Sequence, residues 1–234
     1  MDETEFEWAV RSYWMGRDSQ RAKQVASAIS DAGLRSAVTG GGHLDEFARL
    51  LESVFVNAGF PRSAIKRAVS VELPGYYRPT KKWDVVVIDD DRLVAAIELK
   101  SQAGPSFGNN FNNRAEEAIG NAVDVWRAYE AGTFGPVRPW LGYIFIIEDC
   151  AKSTAPVRLA KTVFPVDPAF TKTSYVERYR ILCQRLVRER LYDAACVIAS
   201  SNDPTRPIEE PVAELSYANF VASIAGRAAY IKAL

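Results

Sequence analysis

The stretch KKWDVVVIDDDRLVAAIELKSQAGPSFGNNFNNR, residues 81–114, decides how this chain is read. Two apolar runs, Val85–Ile88 and Leu93–Ile97, flank the trio Asp89-Asp90-Asp91. Aspartate favours tight turns and the runs are rich in β-branched residues, so the segment reads as two antiparallel strands joined by a three-residue loop. That loop sets Ile88 opposite Arg92 and, counting back, Asp84 opposite Ala96. Side chains alternate faces along a strand, so Asp84, Ala96, Glu98 and Lys100 share one face, with Ile97 and Leu99 on the other. Asp84 and Glu98 become diagonal neighbours, ~5–8 Å apart at Cβ. A one-residue slip at the turn would send Asp84 to the opposite face, so the placement depends on register.

Two carboxylates with open positions between them suit Mg²⁺, which takes oxygen ligands, keeps several waters and is often completed by a substrate phosphate. Asp84 and Glu98, with the Ile97 or Leu99 carbonyl, are the candidate ligands. Lys100 is placed to orient or deprotonate a water and to offset charge on phosphorus. The chemistry this favours is phosphodiester hydrolysis leaving a 5′-phosphate and a 3′-hydroxyl. The plainer reading is a surface strand ending in ordinary charges, since Asp followed fourteen positions later by Glu-x-Lys is a weak pattern. The buried character of both runs weighs against it, because charges that end buried strands call for partners or function.

Downstream, Gly104–Arg114 reads as a loop dense in glycine and asparagine. Asparagine pairs with adenine and arginine with guanine in the major groove, so Asn109, Asn110, Asn112, Asn113 and Arg114 are candidate DNA contacts. Asn112 or Asn113 is equally placed to cap the following helix, whose apolar stripe runs from about Asn112 to Glu130. Upstream, residues 69–79 read as an extended segment turning at Leu73-Pro74-Gly75. Arg78, Lys81 and Lys82, near the strand entrance, are candidate phosphate contacts or simply a solvated face. The amino-terminal region reads as one interrupted helix or two, broken near Gly16, and residues 44–55 as an amphipathic helix after the Gly40-Gly41-Gly42 turn. LGYIFII at 141–147 suits a strand covered on both faces, Arg178–Arg190 belongs to a helix, and AACVIA at 194–199 is a further buried strand. SNDPTRPIEEP at 201–211 is a loop before a last helix. Helices before, between and after doubly covered strands make an α/β fold, a central mixed β-sheet flanked by helices.

The 234 residues, 48% hydrophobic and 25% charged, fit a single domain, 1–234. It comprises a helical amino-terminal part (1–35), a catalytic core (44–150) and a helix-and-strand carboxy-terminal part (174–234). Lys+Arg 29 balances Asp+Glu 29, so a nucleic-acid partner has to be met by a local basic surface. The acidic start MDETEFEW lacks a secretory pattern and no apolar run approaches ~18 residues, so the expected location is the cytoplasm, with no membrane partner. Cys150, Cys183 and Cys196 are widely separated and read as reduced core residues. One histidine, His43, with Ser106 makes nucleophilic catalysis remote.

With these residues in view, the chain resembles the type II restriction endonucleases of the XhoI family, within the PD-(D/E)xK nuclease superfamily. The resemblance is carried by LPGYYRPTKKWD at 73–84, ELKSQAGPSFGNNFNNRAEEAIG at 98–120, IEDC at 147–150, SYVERYRILC at 174–183 and VTGGGHLDEF at 38–47. It implies a restriction-endonuclease-like core and a homodimeric, Mg²⁺-dependent enzyme. The implied reaction is cleavage of double-stranded DNA at CTCGAG after the first C, with four-base 5′ overhangs. A companion DNA methyltransferase would protect the same site in a restriction-modification system. Asp84, Glu98 and Lys100 match the catalytic residues, with Trp83 standing where the superfamily's name has proline. Asp45 is the candidate accessory metal acid, with Glu46 and Glu52 as rivals. Two alternatives use the same residues: a structure-specific or repair nuclease, and a DNA-binding module that does not cut.

Overall fold

A computed structural model describes residues 3–28, 41–69 and 71–234. Its strands are Ile65–Arg67 (β1), Glu72–Pro74 (β2), Thr80–Lys82 (β3), Val85–Asp89 (β4), Arg92–Gln102 (β5), Trp140–Glu148 (β6) and Ala194–Ser200 (β7). Its α-helices are Glu3–Ala28 (α1), Asp45–Asn57 (α2), Phe107–Glu130 (α3), Ala151–Thr154 (α4), Tyr175–Arg188 (α5) and Tyr217–Lys232 (α6). Five strands form one sheet in the order β1-β4-β5-β6-β7, and β2 and β3 form a separate pair. β1, β4 and β5 run antiparallel, whereas β5, β6 and β7 run parallel, so the sheet is mixed.

The β4–β5 hairpin forms, but its turn differs from the expectation. Asp89 pairs with Arg92, so the loop has two residues, Asp90 and Asp91, both with positive φ (48° and 58°). Two-residue hairpin turns with positive φ at both positions match strand twist, and aspartate tolerates that conformation. A turn one residue shorter would by itself have reversed the faces. The ladder then shifts between Val87 and Ile88, where Val94 is the extra residue on β5, and Val85 pairs with Ile97. The bulge restores the parity that the shorter turn removed, so Asp84 still falls on the face of Glu98. Val94 and Ala95, consecutive in sequence, accordingly both pack into the same core layer.

Strand alternation divides the core in two. Val85, Val87, Ile97 and Leu99 pack with α1, α2 and α6 through Tyr13, Phe47, Leu51, Phe55, Phe220 and Ile224. Val86, Ala96, Tyr143 and Phe145 face α3 and α5 through Ala118, Ala122, Val125, Tyr179 and Leu186. This gives helix, sheet and helix layers, with β6 and β7 buried on both faces apart from the half-buried Glu148. α1 runs through Gly16 without interruption, contrary to the expected break. A Cβ there would lie 3.3 Å from His43, so Gly16 marks a close approach between α1 and the chain entering α2. Gly40 of the expected Gly40-Gly41-Gly42 turn, and residues 1–2 and 29–35 of the expected helical amino-terminal part, lie outside the described residues. No described helix is long and apolar enough to cross a membrane.

Candidate active site

Because β4 and β5 are antiparallel, the start of β4 lies beside the carboxy-terminal half of β5. Asp84 stands one residue before β4. Its N–H donates to the Ile97 carbonyl at 3.2 Å and its Oδ2 accepts the Leu99 N–H at 2.7 Å, so it brackets Glu98 along the strand. Glu98 is 2% exposed on the α3/α5 face of the sheet. Lys100 Nζ donates to Glu98 Oε1, and Lys81 Nζ donates to Oε2 at 2.5 Å. Asp84, Glu98 and Lys100 thus come together, joined by a second lysine.

The electrostatics follow from this crowding. Burial, then the neighbouring Glu98 charge, pushes the Asp84 carboxyl up to about 6, against the Leu99 N–H and the ammonium groups of Lys100 and Lys81. Burial likewise pulls Lys81 below the ordinary lysine value, opposed by Glu98. Two carboxylates that raise each other's energy at a partly enclosed point are the donor chemistry a hard divalent cation relieves, so the residues fit such an ion. Among the described residues no three Asp, Glu, His or Cys side chains come together as a metal cage. A metal here would therefore draw on two carboxylates, backbone carbonyl, water and substrate oxygen.

Asp45 is not brought to the pair. It is exposed in the first turn of α2, and α2 covers the sheet face opposite Glu98. Its rivals are engaged by arginines: Glu46 by Arg49, and the buried Glu52 by Arg62 at 2.8 Å and Arg67 at 2.5 Å. The Arg67 hydrogen bond leads in holding the Glu52 carboxyl below its usual range.

The expected Gly104–Arg114 loop is mostly helix, since α3 begins at Phe107 after Ser106. Asn112 and Asn113 therefore lie inside α3 rather than capping it. Glycine and asparagine are poor helix formers, and tertiary packing overrides them. Phe107 stacks on Tyr175 at 5.6 Å between ring centroids, and Phe111 meets Tyr179 edge-on at 5.1 Å. Asn109, Asn112 and Asn113 are exposed at three- and four-residue spacing, which makes one polar face on the first two turns. Asn110 is half-buried, and so is Arg114, whose Nη1 pairs with Glu117 at 2.5 Å.

Of the three expected phosphate contacts, Arg78 and Lys82 are exposed and Lys81 is half-buried, and both Arg78 and Lys81 are held by carboxylates of the chain. Lys81 is on Glu98. Arg78 donates from Nε to Asp124 Oδ2 at 2.7 Å and from Nη2 to Asn121 Oδ1 at 2.8 Å, both on α3. Asp124 Oδ1 also accepts the Tyr76 and Tyr77 N–H groups, each at 2.8 Å. The buried Asp124 thus anchors the whole turn between β2 and β3, a role that its place in an amphipathic stripe did not reveal. Gly75 is required there, because a Cβ would lie 2.6 Å from Asp124 Oδ2 and 2.7 Å from the Arg78 carbonyl. Lys81 had one sequence signal, its spacing of three before Asp84, but only the β2–β3 pairing shows which way it turns.

The family model described as restriction endonuclease XhoI matches residues 23–208. The chain is 45% identical over 176 residues to the type II restriction enzyme BstVI of Geobacillus stearothermophilus, covering 73% of this chain and 79% of that protein. It is 47% identical over 181 residues to the type II restriction enzyme XhoI of Xanthomonas vasicola, covering 76% and 72%. It is also 48% identical over 148 residues to the type II restriction enzyme AbrI of Azospirillum brasilense, covering 62% and 66%. No solved structure matches it significantly. With a family model spanning most of its length and relatives this similar, the chain belongs to the XhoI restriction endonuclease family.

Proposed function

We propose that this protein is a type II site-specific deoxyribonuclease that hydrolyses double-stranded DNA with Mg²⁺ as cofactor. The observation that supports it most is the meeting of Asp84, Glu98 and Lys100 at one sheet end in a chain related to restriction enzymes. Asp84 and Glu98, with a backbone carbonyl of β5, would hold the ion. When bound, the ion supplies Lewis acidity to the scissile phosphate and acidifies a water. Lys100 Nζ orients the attacking water and offsets negative charge on the five-coordinate phosphorus. The Leu99 N–H fixes Asp84, and the β5 ladder fixes Glu98, so both carboxylates are in place before substrate arrives.

The proposed substrate is CTCGAG cut after the first C, leaving 5′-phosphate ends. A palindrome suits two copies of the chain related by a two-fold axis, each reading and cutting one half. The exposed face of Asn109, Asn112 and Asn113 is the proposed reading surface, with Asn110 and Arg114 behind it and Lys82 toward the phosphates. Such an enzyme acts in the cytoplasm on incoming DNA, with a methyltransferase protecting the host's own sites.

The test is to incubate the protein with long duplex DNA of known sequence and Mg²⁺ and to sequence the ends. Cuts confined to one palindrome are the expected result. Preference for branched or damaged DNA would point instead to a structure-specific nuclease, and intact DNA with every divalent ion tried would overturn both.

A further inference from the structure

Glu98 carries two ammonium groups, and only one of them belongs to the Glu-x-Lys pair on β5. Lys100 reaches Oε1 from the same strand, whereas Lys81 reaches Oε2 from β3 in the separate two-stranded sheet. Lys81 is the more enclosed, its side chain 10% exposed against 24% for Lys100. Its Nζ lies 4.3 Å from the centroid of the buried Trp83 ring and also donates to the Lys82 carbonyl at 2.8 Å. β3 itself is fixed, with Lys81 opposite Leu73 in register and the Trp83 N–H bonded to the Val71 carbonyl at 2.9 Å. A lysine whose only task was to meet phosphate at the surface has no need of an aromatic face, a carbonyl and a buried carboxylate to hold it inward.

Asp84 and Glu98, when ionised, carry two negative charges, and Lys81 and Lys100 carry two positive ones, so the cluster is balanced with no ion present. A divalent cation arriving alone leaves the enclosure with two excess positive charges and competes with Lys81 for Oε2. Arriving together with DNA phosphate, it does not, because the phosphate supplies negative charge and a second partner for the displaced ammonium. We propose that Lys81 is a built-in counter-ion on Glu98 that opposes divalent-ion binding until DNA is present, and so couples the two binding events. The inference rests on Asp84 and Glu98 being the ion-binding pair.

The test is calorimetric titration of the protein with Ca²⁺, wild type against Lys81→Met, first without DNA. Removing the competing ammonium should tighten Ca²⁺ binding by about tenfold, the scale of an ordinary coupling between sites. A short duplex centred on CTCGAG should strengthen Ca²⁺ binding more in the wild type than in the variant, and Ca²⁺ should strengthen duplex binding by the same factor, as linkage requires. Lys81→Gln, which keeps a polar group but not the charge, should behave like Lys81→Met, with circular dichroism confirming the fold of both. Ca²⁺ affinity unchanged or weakened in both Lys81 variants, while Glu98→Gln abolishes it, overturns the role of Lys81 alone. Ca²⁺ binding that survives Glu98→Gln overturns it together with the ion-binding pair on which it rests.

Discussion

Replacing Asp84 by asparagine should make the metal-free protein more stable, and the gain should depend on pH. In the folded chain burial and Glu98 push the Asp84 carboxyl up to about 6, whereas in the unfolded chain it titrates near its ordinary value. Between those two values the native state binds the extra proton, so wild-type stability falls as pH rises through roughly 4 to 6. Above this window the ionised carboxylate costs the fold about 3 kcal/mol at most, the free-energy equivalent of the raised value. Asparagine keeps an oxygen to accept the Leu99 N–H and carries no charge, so it behaves as Asp84 does when protonated. Allowing for relaxation of a half-buried site, a gain of about 2 kcal/mol is expected, or roughly 4–8 °C in melting temperature for a chain of this size. Thermal unfolding in a metal chelator at about pH 8 and about pH 4 measures it, with the gain present at the higher pH and absent at the lower. A variant no more stable than wild type at the higher pH, or a gain equal at both, would show that the Asp84 charge is not a cost to the fold.

Other perturbations separate the structural residues from those proposed to read or cut DNA. Gly75→Ala forces a Cβ against Asp124 and the Arg78 carbonyl and should cost about 1–3 kcal/mol in urea unfolding. Gly120→Ala on α3, where a Cβ meets nothing within 4 Å, should instead gain about 0.5–1 kcal/mol, and equal effects of the two would contradict the described turn. Replacing Asn109, Asn112 and Asn113 together by alanine should weaken binding to a CTCGAG duplex by at least about 1–3 kcal/mol without loss of helix. Filter binding that shows no change would remove this face from recognition. Chelation of divalent ions should abolish cleavage reversibly, with activity returning on addition of Mg²⁺; cleavage that persists in chelator would contradict the proposed cofactor.

Apolar runs made four of the sheet's five strands legible, and alternation placed the acid pair, but the short edge strand β1 was not read. Val85–Ile88, Leu93–Ile97, 141–147 and 194–199 all form strands, and Asp84 and Glu98 share a face as expected. That placement survived a misread turn only because the Val94 bulge compensated for the shorter loop, and a bulge leaves no mark in a run of apolar residues. The start of α3 was hidden for the opposite reason. FGNNFNN has the local preferences of a loop, and the helix there is held by Phe107 and Phe111 against Tyr175 and Tyr179, some 65 to 70 residues later. The contacts of Asp124 and Lys81 left no sequence signal because their partners lie in other elements: the β2–β3 turn for one, Glu98 for the other. The surroundings of Asp45 were hidden by the same cause, since helical periodicity places it on α2 but does not say which face of the sheet α2 covers.

Glu98, beside Asp84 and Lys100, is proposed to belong to a cutting centre specific for one palindrome. Binding and cleavage in Mg²⁺ are compared for wild type and Glu98→Ala on a duplex with a single CTCGAG. The wild type should cut each strand after the first C, and the variant should bind the same duplex with cleavage lowered by on the order of 10³-fold. Cleavage by Glu98→Ala at the wild-type rate would remove Glu98 from the chemistry, and a wild type that leaves the duplex intact would contradict the assigned site.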